Sequence, residues 1–258
     1  MQHILTVWSN IEAAMVEFFE DIKEERLERE KKELITSRRK LLVSVLADYV
    51  ASRPVGEVTP QAADVYFMAN AKTIIEETPV DVEVNASSFT EFLGQLPRLS
   101  EEWRQSKNEK LMTLVNKHRG HQPGIAEALN LDLTPLELAT IYFKCSFCQE
   151  PISHPRILAH KCMTSIHPRY SYHLFGHTDQ LQTFVSLGSR PWNQDRRSVS
   201  VTFHVHAHKC ARWVVEVCGF DPELTTAHEM DEADPMLYCG ACMQESGRRL
   251  VMSWRNAV

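Results

Sequence analysis

This 258-residue chain lacks the features that direct a protein into a membrane or out of the cell. No run of about 18 apolar residues occurs, which excludes an ordinary transmembrane helix. The N-terminus has no basic segment followed by an apolar one, so it is not a secretory signal. Net charge is −6, so the chain as a whole is not a nucleic-acid-binding polycation. We therefore expect an intracellular protein, in the cytoplasm or nucleus, with no membrane partner.

Glycine is scarce, and its nine residues provide little material for a loop that cradles phosphate groups. The glycine-rich motifs of P-loop enzymes and of dinucleotide-binding proteins are missing. The G-x-S-x-G nucleophile elbow and the H-E-x-x-H zinc-protease motif are missing too. The sequence therefore carries no recognised motif for these enzyme classes.

Cysteine is absent before position 145, and all seven cysteines lie at or after it. Seven is an odd number, whereas a secreted disulfide framework usually has an even count behind a signal peptide. Four of the seven form two C-x-x-C pairs, Cys145/Cys148 and Cys239/Cys242. The pattern therefore fits a reducing compartment and metal binding better than disulfides.

The first half of the chain has the pattern of successive helices. Apolar residues recur at helical spacing over about residues 11–50, and Pro54 and Gly56 end this segment. Its charged middle, residues 23–32, predicts a solvated helix, a short coiled-coil arm or a bend. Further helix starts are predicted at Thr59-Pro60 (with a helix to about Glu77), at a capping box from Ser88 to Glu91, and at Ser100.

The second half has a mixed pattern. Residues 198–205 alternate like a β-strand, and residues 210–218 predict a helix that Gly219 ends. Thr225 or Thr226 is expected to cap another short helix.

A loop at residues 119–124 is the preferred boundary between the two halves. We therefore predict a mainly α N-terminal half, with a helical domain over residues 1–125. A small α+β zinc-binding domain is predicted over residues 126–258.

The two C-x-x-C pairs predict zinc ligands. Two intervening residues let a tight turn aim both thiolates at one ion. A redox dithiol is the alternative for a single pair, but it expects a thioredoxin-like strand and helix that neither sequence has. Two pairs on an intracellular chain favour one or two structural zinc ions.

Two ligand arrangements remain open at this point. In the first, both C-x-x-C pairs share one ion across an insert of about ninety residues. In the second, a local site with spacing C-x2-C-x11-H-x-C is formed by Cys145, Cys148, His160 and Cys162. The local spacing closes a short loop at low entropic cost, which favours the second arrangement.

In the second arrangement, Cys239 and Cys242 need two more ligands for a site of their own. The candidates are Cys210, Cys218, His208, His228, or a residue that follows Val258. Cys210 and Cys218 also have a simpler interpretation as buried helical thiols.

Three histidines alternate in the segment His204-Val-His206-Ala-His208. On a strand they would share one face and could hold a catalytic metal with an open position. This is the basis of a metallo-hydrolase hypothesis. No acidic ligand or general base lies at a recognisable distance, so a histidine-bearing strand edge is the simpler interpretation.

Beyond the C-x-x-C pairs, the second half contains distinctive segments at residues 155–162, 218–222 and 226–231 and at its end, residues 254–258. Together they resemble a group of largely uncharacterised mushroom-type fungal proteins, some of which are labelled F-box-like. The resemblance covers about residues 140–258 and, more weakly, the helical half. In that group a histidine often follows the final motif, so the resemblance implies a ligand beyond Val258. The chain has no Leu-Pro-x-Glu start of an F-box.

We expect a zinc-stabilised protein-interaction module, a non-catalytic scaffold or adaptor with a protein partner. One alternative is a zinc-dependent nucleic-acid-binding protein, although only residues 38–40, 196–197 and 248–249 offer clusters of basic charge. The other is a metallo-hydrolase that uses the His204/His206/His208 cluster.

Overall fold

The structure, a computed structural model of the chain, describes residues 2–68, 70–119, 133–166, 178–194, 199–240 and 250–258. Its first part contains the helices α1 (Gln2–Ala51), α2 (Ala62–Tyr66), α3 (Ala71–Glu76) and α4 (Thr90–Arg119). Helix α1 continues through the charged segment at residues 23–32, so that segment is not a bend. None of the described helices has both the length and the apolar character needed to cross a membrane.

The helix predicted from Thr59 to about Glu77 was wrong, because the structure divides it into α2 and α3. Asn70 lies between them with a φ of 75°. A regular right-handed helix has negative φ throughout, so a residue in this conformation interrupts it.

The predicted start of α4 was also wrong. Asn85 caps the 3-10 turn Ala86–Phe89, and Ser88 is the last member of that capping box rather than the first of another. Helix α4 then runs through Ser100 without a break and contains Pro97.

A first hydrophobic core forms where the C-terminal part of α1 packs against α2, α3, the start of α4 and α5 (Thr178–Leu187). Its buried side chains include Leu42, Tyr66, Ile75, Phe89, Phe92, Leu96 and Phe184. Because α5 follows α4 by about sixty residues, a helix from the second half of the chain completes a core of the first half.

Arg38 on α1 is almost completely buried beside this core. Its guanidinium donates hydrogen bonds of 2.7–3.2 Å to the carbonyls of Ile75, Thr78, Pro79 and Val82. These carbonyls belong to the end of α3 and the loop after it, so one side chain fixes that loop against α1.

The described part of the second half contains two small antiparallel sheets. Strands β1 (Tyr142–Cys145), β2 (Pro151–Ser153) and β3 (Val201–Phe203) pair in the order β2-β1-β3. Strands β4 (Met236–Tyr238) and β5 (Val251–Ser253) form a separate pair. The mainly helical first half and the small α+β second half confirm the predicted fold class.

A second core lies between the three-stranded sheet and the C-terminal part of α4. Trp103, Leu111 and Val115 of α4 pack in it with Phe143 and Cys145 of β1. Helix α4 therefore contributes to both cores, through its beginning in the first and through its end in the second.

Asp64 on α2 joins the two cores. Its buried carboxylate accepts hydrogen bonds from the indole N–H of Trp103 at 2.9 Å and from the backbone N–H of Trp192 at 3.0 Å. Lys107 lies 4.0 Å from the same carboxylate. Burial raises the pKa of Asp64, and these partners offset part of that increase.

The predicted boundary at residues 125 and 126 lies outside the described residues and stays a prediction. Both cores combine residues from the two sides of it.

Helices α6 (Val205–Val217) and α7 (Ala227–Ala233) complete the described second half. Thr226 caps α7 with a capping box that includes Glu229, as predicted. The strand predicted over residues 198–205 was wrong beyond Phe203, because the side chain of His204 accepts a hydrogen bond from the backbone N–H of Ala207 and caps α6.

Candidate metal centre

The first C-x-x-C pair lies in the tight connection between β1 and β2. Cys145 ends β1 and is fully buried, and Cys148 lies in the turn that follows. The backbone N–H of Phe147 donates to Cys145 Sγ at 3.3 Å, and that of Gln149 donates to the Cys145 carbonyl at 2.9 Å. Gln149 has a positive φ of 62°, which closes the turn. The backbone thus directs both sulfurs to the same side.

Ser146 attaches this turn to the neighbouring strand segment. Its backbone N–H donates to the Ser200 carbonyl at 2.9 Å, and its Oγ accepts from the Ser200 N–H at 2.9 Å. This reciprocal pair of hydrogen bonds continues the β1–β3 ladder by one residue past Cys145. The turn is therefore held on two sides, by β2 and by the segment before β3.

The other two candidate ligands come from a pair of 3-10 turns, Arg156–Ala159 and Lys161–Met163. His160 lies between the turns and Cys162 lies in the second. Ile157 and Met163 are fully buried in the second core and anchor the two turns on either side of the ligands.

The structure brings Cys145, Cys148, His160 and Cys162 together. Their ligand atoms all lie within 4.8 Å of one another, and Cys148 Sγ is 3.3 Å from His160 Nε2. Four ligands at zinc bond lengths of about 2.0–2.3 Å in a tetrahedron lie about 3.5–3.8 Å apart. The four side chains therefore fit one tetrahedral ion after small rotations.

The pKa values of these groups reflect their burial and their closeness to one another. Burial, together with charge repulsion from the neighbouring Cys145 and Cys148, raises the pKa of the Cys162 thiol to about 12. Burial also raises the pKa of Cys148, while it lowers the pKa of His160 and keeps that ring neutral. A cation at the centre would favour the thiolates, because it replaces their mutual repulsion with attraction.

Arg190 supports the second 3-10 turn from outside the cluster. Its Nη2 donates to the Cys162 carbonyl at 3.2 Å, and its backbone N–H donates to the Thr164 carbonyl at 2.8 Å. This role of Arg190 was not predictable from the sequence, because its contacts are with backbone carbonyls 28 and 26 residues away.

The second C-x-x-C pair is only partly described. Among the described residues, Cys239 joins no group of three or more potential metal ligands. Cys242 lies outside the described residues, so a separate site at this pair stays a prediction. A single site shared by both pairs has no support, because Cys239 is not part of the cluster around Cys145 and Cys148.

The ligands proposed to complete a second site have other contacts. His208 Nδ1 lies 2.7 Å from the Thr140 carbonyl, and Cys210 Sγ lies 3.7 Å from His206 Nε2. Cys218 is half-buried at the end of α6, and burial raises its pKa. His228 is exposed near Glu232. In the part of the chain that the structure describes, none of these residues joins a ligand group of three.

The three-histidine face expected for a catalytic metal does not form. His204 caps α6, and His206 and His208 lie in its first turn. Successive helical residues are about 100° apart, so His206 projects from the opposite side of the helix to His204 and His208. The strand predicted at these histidines does not form, because the His204 side chain caps a helix at this point of the chain.

Comparison with protein-family models, with curated proteins and with solved structures finds no match to this chain. The function is therefore argued from the geometry of the molecule itself.

Proposed function

We propose that the protein is a zinc-stabilised protein-interaction module, in which the Cys3His ion is structural and the outer face of α6 binds a protein partner. The observation that carries the proposal is Trp213 on α6, which is 66% exposed. Tryptophan is highly buried on average, and it is enriched among the residues that dominate binding energy at interfaces.

The donor set supports a structural ion. Catalytic zinc keeps one position for water or substrate beside three protein ligands, whereas structural zinc is closed by four. Here four side chains converge, three of them cysteines. An ion held by this set has no position left for a substrate.

Helix α6 has two distinct faces. Ala207, Ala211, Val214 and Val215 are buried on its inner face. Trp213 and Val217, one helical turn apart, lie on the outer face, and Val217 is 55% exposed. Phe220 follows in the turn after the helix and is also exposed. An exposed apolar row of this kind is typical of a binding surface.

Strand β1 links the metal cluster to this helix. Its last residue is the ligand Cys145, and its first residue, Tyr142, packs against Ala207 and Ala211 of α6. The Tyr142 carbonyl also accepts the backbone N–H of His204 at 2.9 Å. A metal ion that fixes the end of β1 would therefore also fix the support of α6.

Of the basic clusters that a nucleic-acid-binding protein would use, the structure describes only residues 38–40, and most of this cluster is not exposed. Arg38 is buried, and Arg39 binds the Glu76 carboxylate at 3.0 Å and the Tyr66 hydroxyl. Of this cluster only Lys40 remains exposed, and the other two basic pairs lie outside the described residues. The intracellular setting predicted from the sequence and the fungal origin that the resemblance implies are both part of the present proposal.

The metal ligands and the interface are tested separately, each with one variant and one matched control. Cys162→Ser removes a ligand, and Cys210→Ser removes a half-buried cysteine outside the cluster. We expect about one equivalent of zinc by elemental analysis in the wild type and in Cys210→Ser. Cys162→Ser should hold less than about a fifth of that amount. Less than half an equivalent in the fresh, reduced wild type contradicts the metal assignment.

The interface is tested with Trp213→Glu, and Val185→Glu on α5 is its control because Val185 is also an exposed apolar residue, 62% accessible. All proteins are zinc-loaded and used as baits for crosslinking and capture from cell extract. We expect Trp213→Glu to keep its zinc and lose proteins that the wild type and Val185→Glu both capture. Capture of the same proteins by Trp213→Glu contradicts the interface.

A further inference from the structure

Helix α1 extends beyond the folded body as an arm. Every side chain described between residues 11 and 33 is exposed, and Arg38 is the first buried residue among the side chains that the structure describes on this helix. Those 23 residues are about 35 Å long at the rise of an α-helix. The part of this segment from Glu25 to Glu33 lines an open cleft with Gln182, Val185 and Ser186 of α5. An exposed helix with few tertiary contacts gains little stability from packing.

The arm carries an apolar row with a seven-residue repeat. Ile11, Met15, Phe18 and Ile22 are separated by four, three and four residues. Each of the four is between 44% and 59% exposed. This spacing is that of the a and d positions of a coiled coil, with Met15 and Ile22 at a and Ile11 and Phe18 at d. Such a row forms one half of a helix–helix seam.

We propose that this arm, which we call the α1 arm (residues 11–33), pairs with the α1 arm of a second copy of the chain as an antiparallel coiled coil. The row is complementary to itself in this orientation. When Met15 lies opposite Phe18 of the second copy, Ile22 lies opposite Ile11, and the twofold axis repeats both pairings. Four apolar layers then close over the exposed row.

The flanking charges select the same orientation. Glu12 and Arg26 occupy e positions, and in an antiparallel pair the e flanks of the two helices face each other. Glu12 of each copy therefore lies near Arg26 of the other, while Phe19 approaches its own counterpart at the axis. A parallel pair would instead place Glu25 against Glu25 and Arg29 against Arg29 within the seam.

The length of the arm also fits this pairing. The apolar row is centred between residues 16 and 17, close to the middle of the projecting part of α1. In this register residue i of one copy lies opposite residue 33 − i of the other, so the two arms overlap over residues 11–22. Residues 23–31 of each arm lie beside residues 2–10 of the other helix α1. The first partly buried residues, at Leu34, then lie about 50 Å apart at opposite ends of the pair.

This pairing goes beyond the proposed function, because it uses neither the metal cluster nor α6. Its consequence is a bivalent protein that presents two copies of the α6 face at a fixed separation. Bivalent binding raises the effective affinity for a partner with repeated epitopes without any new contact.

The test measures the mass of the full-length, zinc-loaded protein by light scattering or sedimentation. We expect the wild type at twice the chain mass of 29.6 kDa. Phe18→Glu places two carboxylates in the seam and should weaken dimerisation by at least roughly 100-fold. The control is Val16→Glu, an exposed apolar residue of the same arm that lies outside the seam, and it should remain dimeric.

A charge exchange tests the orientation. Glu12→Arg and Arg26→Glu should each weaken the dimer, and the double variant should restore it, because the two residues then exchange roles across the axis. Zinc content and thermal unfolding of the body should not change in any of these variants, which separates this proposal from the metal assignment. A monomeric wild type at tens of micromolar overturns the pairing, as does a Phe18→Glu protein that remains dimeric. Failure of the double variant to recover overturns the antiparallel orientation.

Discussion

At the scale of single residues, the fold shifts the pKa values of the candidate metal ligands in opposite directions. It raises those of two thiols and lowers that of the histidine. Burial raises the pKa of the Cys148 and Cys162 thiols, so without a cation both hold their protons at neutral pH. Burial lowers the pKa of His160, so this ring is already neutral and ready to bind. Metal uptake must therefore displace protons from the thiols and none from the histidine.

The first prediction concerns pH. Because Cys148 and Cys162 must each lose a proton for the proposed zinc ion to bind, the apparent affinity should rise by at least about 100-fold per pH unit between pH 6 and 8. Competition with a chromophoric chelator at several pH values measures this slope. Cys210→Ser should give the same slope as the wild type. An affinity that does not change with pH would show that the thiols are not the ligands.

The cluster of Cys145, Cys148, His160 and Cys162 was predictable from the sequence, but its structural support was not. A C-x2-C-x11-H-x-C pattern is local, and sequence spacing alone restricts how its side chains can meet. Arg190 contacts the site through a backbone carbonyl, and carbonyls carry no sequence signal. The exposure of Trp213 was not predicted either. It depends on which face of α6 packs against the rest of the protein, and this is not evident from the sequence.

At the scale of secondary-structure elements, short-range hydrogen bonds decided where predicted and observed boundaries differ. The alternating histidines suggested a strand, but the His204 side chain caps α6 and begins the helix one residue later. The Thr59-Pro60 start suggested one helix, but Asn70 adopts a conformation that divides it. Pattern recognition averages over such single contacts, so it predicts the presence of an element better than its ends.

The second prediction concerns how α1 holds the loop after α3. Arg38→Lys should lower the free energy of unfolding by about 2–4 kcal/mol, because one ammonium cannot reach the four carbonyls that the two guanidinium nitrogens bind. Arg98→Lys, in an exposed ion pair with Glu102 on α4, should change it by less than about 0.5 kcal/mol. Urea denaturation of both variants measures the difference, and equal effects would contradict the role of Arg38.

At the scale of the whole molecule, the two cores are connected rather than separate. Helix α4 packs in both, α5 completes the first from the second half of the chain, and Asp64 binds Trp192 near the metal cluster. A division at residue 125 predicts that the helical half survives loss of the metal. Because the two cores share elements, we instead predict that loss of the metal also destabilises the helical half.

The third prediction follows from this connection. In Cys162→Ser, hydrogen exchange should increase in α2 and α5 as well as in β1, because Arg190 and Trp192 connect the metal turn to both helices. Thermal unfolding should show one transition at a lower temperature than in the wild type. Two separate transitions, with α2 and α5 still protected, would favour independent domains. Cys210→Ser should exchange like the wild type.

The contribution of α5 to the first core has a consequence for the order of events during synthesis. Translation adds about 5–20 residues per second, so Phe184 and Leu187 are made on the order of ten seconds after the end of α1. Residues 145–162 are complete before α5 begins. The four side chains proposed to hold a metal ion are therefore synthesised while the helical core still lacks its last helix.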